Sequence, residues 1–426
     1  TPFIEYDLQN QLDHAINNGL QTTLDLNEIK DCNIVIITLG TSSDKHVIKK
    51  FNQLIDDVIS KITEGSTIIL RSTVTLNTIN KIIEDKTFNI KKLHLYYCPE
   101  RIADGIWPIL NLLNTWRIPL VFLIAGIALR LSFQKRTRPE ILKERVKILV
   151  VPWLFGTTTF ATASLVIAVT YYEGWSPDSL WLIFSAFEFN GVHLWFLVNI
   201  LIYCILLVPV LNFISNKKQK EGVVSFLLQK PGGIFIFSIP IIAEGYFLNL
   251  LRFNPDSYYG DFYNGYANTE HGLLLGFLWF LIGIVLTSQG DVFWESNKRN
   301  WRIHLVFGTV SYLYRWENNF QNDYALDNRL IAFESFNFIF LLLGLAAVYL
   351  NKDSPQLTYY KTAVYPVYIV HLPVQMAVMY FFAGINIHPI IKFPIALFLI
   401  CFLSLTIYHA IKNIKPLRPL FGLRNK

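Results

Sequence analysis

The sequence predicts a mainly α protein: a polytopic membrane helix bundle of about nine spans, preceded by a partial α/β segment. Three observations carry this. Hydrophobic runs long enough to cross a bilayer recur between residues 117 and 411. Basic side chains alternate from loop to loop between those runs. Ahead of them, short apolar strands alternate with helical patterns, the order of a parallel α/β sheet.

Composition divides the chain in the same place. Residues 1–105 hold 11 Lys and Arg against 14 Asp and Glu, while the remainder holds 26 against 17, so a net of −3 is followed by a net of +9. All ten tryptophans lie at or beyond Trp107. A mean hydropathy of +0.37 is too apolar for an ordinary soluble chain. The basic surplus sits in short loops between apolar runs, which argues for membrane topology and against a nucleic-acid partner. Cys32, Cys98, Cys204 and Cys401 are scattered, with neither metal-ligand spacing nor a disulfide framework. No basic and apolar leader opens the chain, so no signal peptide is expected.

In the first segment, Ile34-Val35-Ile36-Ile37 reads as a strand buried on both faces. From about Asp44 to Ile62 a helix is expected, with Val47, Ile48, Phe51, Leu54, Ile55, Val58 and Ile62 on one stripe. Gly65 ends it, and Thr67-Ile68-Ile69-Leu70 is the next strand. A second helix would follow Ser72-Thr73-Val74, and Lys92 to Tyr97 forms a third strand. This is a doubly wound order.

Asp31-Cys32-Asn33-Ile34-Val35-Ile36-Ile37, Leu70-Arg71-Ser72-Thr73-Val74 and Cys98-Pro99-Glu100-Arg101 resemble the NAD-binding domain of UDP-glucose/GDP-mannose-type dehydrogenases. The resemblance implies a partial Rossmann-like fold over 1–105, with Thr73 against the dinucleotide and Glu100 near the reacting sugar. There is no G-x-G-x-x-G turn to cradle a pyrophosphate, and Cys98 stands in the wrong motif position for that family's nucleophile. Thr73 and Glu100 therefore read as a vestigial motif, and NAD is not expected to bind functionally.

Beyond a seam at 106–116, spans are expected at 117–133, 147–171, 192–213, 233–251, 271–288, 302–316, 330–350, 362–383 and 389–411. The sixth is the weakest, because His304 and Arg315 crowd its ends. Asp178 to Phe189 reads as an amphipathic stretch along the interface. Six basic residues fall in 134–147, four in 214–232, three at 298–302 and five after His409, whereas 172–191 has none and 252–270 has Arg252 alone. The basic loops and the tail 412–426 are therefore expected in the cytoplasm. On that orientation, helix 117–133 runs inward, so one spanning helix is missing before Trp116.

Trp116-Arg117-Ile118-Pro119 through Gly126, Leu142-Lys143-Glu144-Arg145, Val151-Pro152-Trp153-Leu154-Phe155-Gly156 and His193-Leu194-Trp195-Phe196-Leu197 are similar to the acyltransferase 3 family. Ser288-Gln289-Gly290-Asp291, Tyr365-Pro366-Val367-Tyr368-Ile369-Val370-His371 and Arg418-Pro419-Leu420-Phe421-Gly422-Leu423 continue the similarity in order, more narrowly to its glucan biosynthesis (succinyltransferase) branch. The resemblance implies an inner-membrane, multi-pass enzyme that moves an acyl group from cytoplasmic acyl-CoA to a hydroxyl of an extracytoplasmic glycan or glucan. In that family the catalytic histidine sits in the first membrane helix, the one missing here, which would leave the enzyme inactive unless another base replaces it, and this chain has Ile148 where the family has a second arginine.

The site candidates follow from that chemistry. A base must take the hydroxyl proton, which suits His371 in mid-span, His193 at a span's start, and Glu244 inside an apolar run. Cations must hold the CoA phosphates, a role for Arg145 with Lys143 and Lys147. His271 beside Glu270, and the loop Tyr258-Tyr259-Gly260-Asp261-Phe262-Tyr263, are weaker candidates at a helix mouth. Two other classes stay open: a glycan transporter, and a non-catalytic fusion or truncation product joined at the seam.

Overall fold

A computed structural model describes residues 25–32, 34–37, 45–70, 90–97, 107–173, 182–188, 190–214, 222–251, 263, 265–321, 327–352, 354–383, 385 and 389–423. Thr73, Cys98, Glu100 and the loop 258–262 lie outside them. The chain divides near residue 102 into two compact units.

In the first unit, strands β1 (Ile34–Ile37), β2 (Thr67–Leu70) and β3 (His94–Tyr97) form a parallel sheet in sequential order. After a short 3-10 helix at Leu26–Asp31, the α-helix α1 (Lys45–Lys61) buries Phe51, Ile55, Val58 and Ile59 against Ile37, Ile68 and Leu93. Its stripe recurs every three to four residues, so one face meets the sheet. Lys91 Nζ donates to the Ile59, Ser60 and Ile62 carbonyls at 3.0, 2.7 and 2.8 Å, satisfying the end of the helix. Three parallel strands and the one α-helix packed on them do not by themselves establish a Rossmann-like fold.

The second unit is a helix bundle. Its principal helices are α2 (Trp107–Phe133), α3 (Arg138–Gly156), α4 (Thr162–Glu173), α5 (Trp195–Leu207), α6 (Ser238–Leu251), α7 (Glu270–Ser288), α8 (Asp291–Arg315), α9 (Asn328–Leu345), α10 (Pro355–Ala383) and α11 (Pro389–Asn413). Among the described residues, eight helical stretches are long and apolar enough to cross a membrane, against the nine expected of the whole sequence. The protein is a multi-pass membrane protein.

Three boundaries differ from expectation. α2 begins at Trp107, so most of the seam is helical and continuous with the first span. α3 begins at Arg138, where the Glu140 carboxylate accepts from the Thr137 N–H at 2.9 Å and Pro139 occupies the first turn. Lys143, Arg145 and Lys147 therefore stand on a helix, and the loop proper is only 134–137. A π turn, Thr157–Ala161, joins α3 to α4. The third difference is α8, which extends well before residue 302 but carries too many polar residues to count among the apolar spans.

Packing follows small residues. α2 lies on α7, and a Cβ on Gly126 would overlap the Phe280 carbonyl while one on Gly283 would overlap that of Leu123. Such close backbone approach is how membrane helices gain contact without a hydrophobic drive. α8 packs on α9, α6 on α9, α3 on α5 and α10 on α11. Tyr203, Trp279, Phe280, Phe336 and Phe340 fill the centre, whereas Val121, Ile205, Phe247, Leu313, Met379 and Phe398 point outward, as lipid-facing side chains should.

Candidate active site

His193 and His371 are brought together. Their rings lie 5.2 Å apart, perpendicular to one another. His193 Nε2 meets the Ile369 carbonyl at 3.0 Å. A carbonyl only accepts, so Nε2 carries the proton and Nδ1 keeps its lone pair, buried and without a hydrogen-bond partner. His371 Nδ1 meets the Tyr368 carbonyl at 2.6 Å, which by the same reasoning leaves its Nε2 as the basic nitrogen. Each imidazole is thus held by a backbone oxygen in a tautomer with one basic nitrogen to offer. Tyr368 closes the arrangement by donating its hydroxyl to the His193 carbonyl at 2.5 Å.

The local backbone explains how the pair is presented. Asn190, Gly191 and Val192 all have positive φ, at 50°, 83° and 57°. That region strains a β-branched residue, so the turn before His193 is held against local preference by its surroundings. Trp153 Nε1 donates to the Asn190 carbonyl at 3.1 Å, and the Asn190 side chain bonds that of Asn268 at 2.9 Å.

On the other side, Pro373 has no N–H, so the Ile369 carbonyl four residues earlier has no helical partner and is free to accept from His193. The same device occurs twice more. Pro152 releases the Ile148 carbonyl, which accepts from Tyr365 Oη at 2.6 Å. Pro119 releases that of Thr115, which accepts from Tyr266 Oη at 3.2 Å. Three prolines inside helices thereby become three cross-links between helices.

At the end of the bundle carrying the basic residues, Arg145 is half-buried and Lys143 and Lys147 are exposed. Arg145 Nη2 donates to Ser132 Oγ at 3.2 Å, while its buried Nε has no hydrogen-bond partner. Arg136 pairs with Glu144. Beside them an open cavity of about 370 Å³ is lined by Leu131, Ser132, Gln134, Lys135 and Arg136. Arg130 Nε donates to Ser288 Oγ at 2.9 Å, tying α2 to α7 at the same end.

Glu244 is elsewhere. It pairs with His271 Nδ1 in full burial, and His271 Nε2 donates to the Tyr263 carbonyl at 2.9 Å. Glu270, the expected neighbour, is exposed. Both His271 nitrogens are thus engaged, so this pair anchors Tyr263 to α6 and α7 rather than joining the two-histidine site.

Sequence reasoning missed the Arg315–Glu334 pair. Arg315 Nε and Nη2 donate to the two Glu334 carboxylate oxygens at 2.6 and 2.7 Å, and Arg315 Nη1 reaches Asn111 Oδ1 at 3.3 Å. Thr115 donates to Glu334 Oε1 at 3.3 Å, so α2, α8 and α9 meet at one buried fork. A lone carboxylate in an otherwise apolar run was the available signal.

The fold is that of a membrane helix bundle, and its paired imidazoles and basic mouth are suited to group transfer. The acyltransferase domain model matches residues 93–409, which is most of the chain, so the protein belongs to the acyltransferase 3 family and is an acyltransferase. The NAD-binding domain of the UDP-glucose/GDP-mannose dehydrogenase family matches residues 1–119. The two matches overlap across the seam. No curated protein and no solved structure matches the chain.

Proposed function

We propose that the protein is an O-acyltransferase that takes an acyl group, succinyl among the candidates, from acyl-CoA and places it on a hydroxyl of an extracytoplasmic glycan or glucan. The basic end lies in the cytoplasm of a bacterial-type inner membrane. There Arg145, with Lys143 and Lys147, receives the phosphates of the donor. His371 and His193 supply the base. One takes the acceptor's hydroxyl proton as the oxygen attacks the thioester carbonyl; the C–O bond forms, the C–S bond breaks, and the proton ends on the sulfur. Residues 1–105 contribute no NAD chemistry.

The observation that carries this reading is the perpendicular histidine pair, in which a backbone carbonyl takes the proton of each imidazole and leaves its other nitrogen basic. Membranes containing the protein, given acyl-CoA labelled in the acyl group and a glucan, test it. The expected result is label in the glucan through an alkali-labile ester. Movement of glucan across the membrane with no ester formed would replace the enzyme with a transporter.

A further inference from the structure

α8 is a helix turned inside out. Its buried residues recur every three or four positions and are nearly all polar or glycine: Ser296, Asn297, Asn300, His304, Gly308, Ser311 and Arg315. From Ile303 on its exposed residues are mainly apolar, Ile303, Leu305, Val306, Phe307, Val310, Leu313 and Tyr314 with Thr309 among them, whereas the turns nearer the basic end expose Asp291, Glu295, Arg299 and Arg302. Such a helix is stable only where the surrounding medium is less polar than the interior it faces, which is a bilayer. At about 1.5 Å per residue it is long enough to cross one.

The buried face is not self-sufficient. Both amide atoms of Asn297 are buried with no hydrogen-bond partner, and so are Asn300 Oδ1 and His304 Nε2. Asn300 Nδ2 reaches Ser296 Oγ at 3.3 Å, and His304 Nδ1 donates to Asn337 Oδ1 of α9 at 2.9 Å. The helix Val223–Gln229, which packs on α8, adds Ser225, whose buried hydroxyl is likewise unmatched. Buried polar groups in proteins are almost always satisfied, by protein or by ordered water. Here they form one row, Asn297, Asn300, His304, rising from the basic end, where Lys298 and Arg299 of the same helix sit.

We propose that this row lines a hydrated crevice that admits water and protons from the basic end as far as His304. The Nδ1–H bond to Asn337 leaves Nε2 as the basic atom at its inner limit. Beyond it the Arg315–Glu334 fork closes the polar face with matched charges. On the reading above, acyl transfer removes a proton from a hydroxyl and delivers one to sulfur, and a water row beside the catalytic bundle lets such protons equilibrate with the cytoplasm. That use rests on the proposed function; the crevice does not.

Thiol labelling of the full chain in inverted membranes tests it. Cys32, Cys98, Cys204 and Cys401 are replaced by serine, and Ser296→Cys, Asn300→Cys or the lipid-facing control Val306→Cys is introduced singly. N-ethylmaleimide reacts with thiolate, which forms only where water reaches, so Ser296→Cys and Asn300→Cys should be modified at least about tenfold faster than Val306→Cys. Total thiol after denaturation normalises each rate. Ser296→Cys is nearly isosteric, so it keeps the test informative if Asn300→Cys fails to fold. Labelling at both sites as slow as at Val306→Cys overturns the crevice. Because no acyl transfer is measured, that result leaves the transferase reading standing.

Discussion

His193 and Pro373 are coupled through a single oxygen atom. The proline lacks the N–H that would occupy the Ile369 carbonyl, and His193 Nε2 donates to that carbonyl at 3.0 Å. A residue with no polar side-chain atom thereby selects which nitrogen of a histidine on another helix is basic.

Replacing Pro373 by alanine tests this coupling. Pro373→Ala restores an amide that competes for the Ile369 oxygen, weakening the His193 contact by about 1 kcal/mol, which is roughly fivefold in rate. The expected outcome is a kcat several-fold lower with no loss of thermal stability, since a helix gains by losing an internal proline. Unchanged kcat in a folded variant would disconnect the proline from the histidine.

The Arg315–Glu334 fork is fully buried, so removing one partner strands a charge. Arg315→Met or Glu334→Leu alone should cost about 3–5 kcal/mol and deplete the folded protein, whereas the two together should recover much of that loss. Thermal unfolding followed by size-exclusion in detergent reads all three.

Gly126 sits where α2 meets the Phe280 backbone of α7. Gly126→Ala should separate the helices and cost about 1–3 kcal/mol, seen as a lower unfolding temperature. An equivalent change at Gly65, whose surroundings are open, tests φ alone, since its φ is +79°.

Arg145→Ala should raise KM for acyl-CoA about tenfold, the worth of one charge-assisted hydrogen bond, with a smaller effect on kcat. Lys143→Ala and Lys147→Ala, on exposed side chains, should change KM less. Initial rates at varied acyl-CoA decide the order.

The first unit's strands were legible because an uninterrupted apolar run leaves few alternatives, and Ile34–Ile37 and Thr67–Leu70 stand where the sequence places them. The bundle was legible as a class and less so at its ends. Hydropathy marks where a helix meets lipid, not where its hydrogen bonds begin, so α2 and α3 start nine to ten residues earlier than their apolar runs suggest. α8 was weak in the sequence for the converse reason: its apolar and polar residues share one stretch, and an average over them conceals two opposed faces.

The site was legible in its members but not in their pairing. His193 and His371 were each visible as ionisable groups in apolar surroundings, yet they lie in helices far apart in the chain. His271 illustrates the limit more sharply. Its sequence neighbour Glu270 is exposed, and its real partner, Glu244, comes from another helix. Proline positions show which carbonyls are released, but only the folded bundle shows that Tyr266, Tyr365 and His193 take them.

The most direct measurement is the initial rate of labelled acyl transfer from acyl-CoA to glucan by membranes bearing the unaltered chain, His193→Gln or His371→Gln, each normalised to protein present. Glutamine can still donate to the Ile369 or Tyr368 carbonyl but has no basic nitrogen. Each substitution should lower kcat about a hundredfold, the usual share of a general base. Wild-type rates in both variants would contradict the two-histidine site.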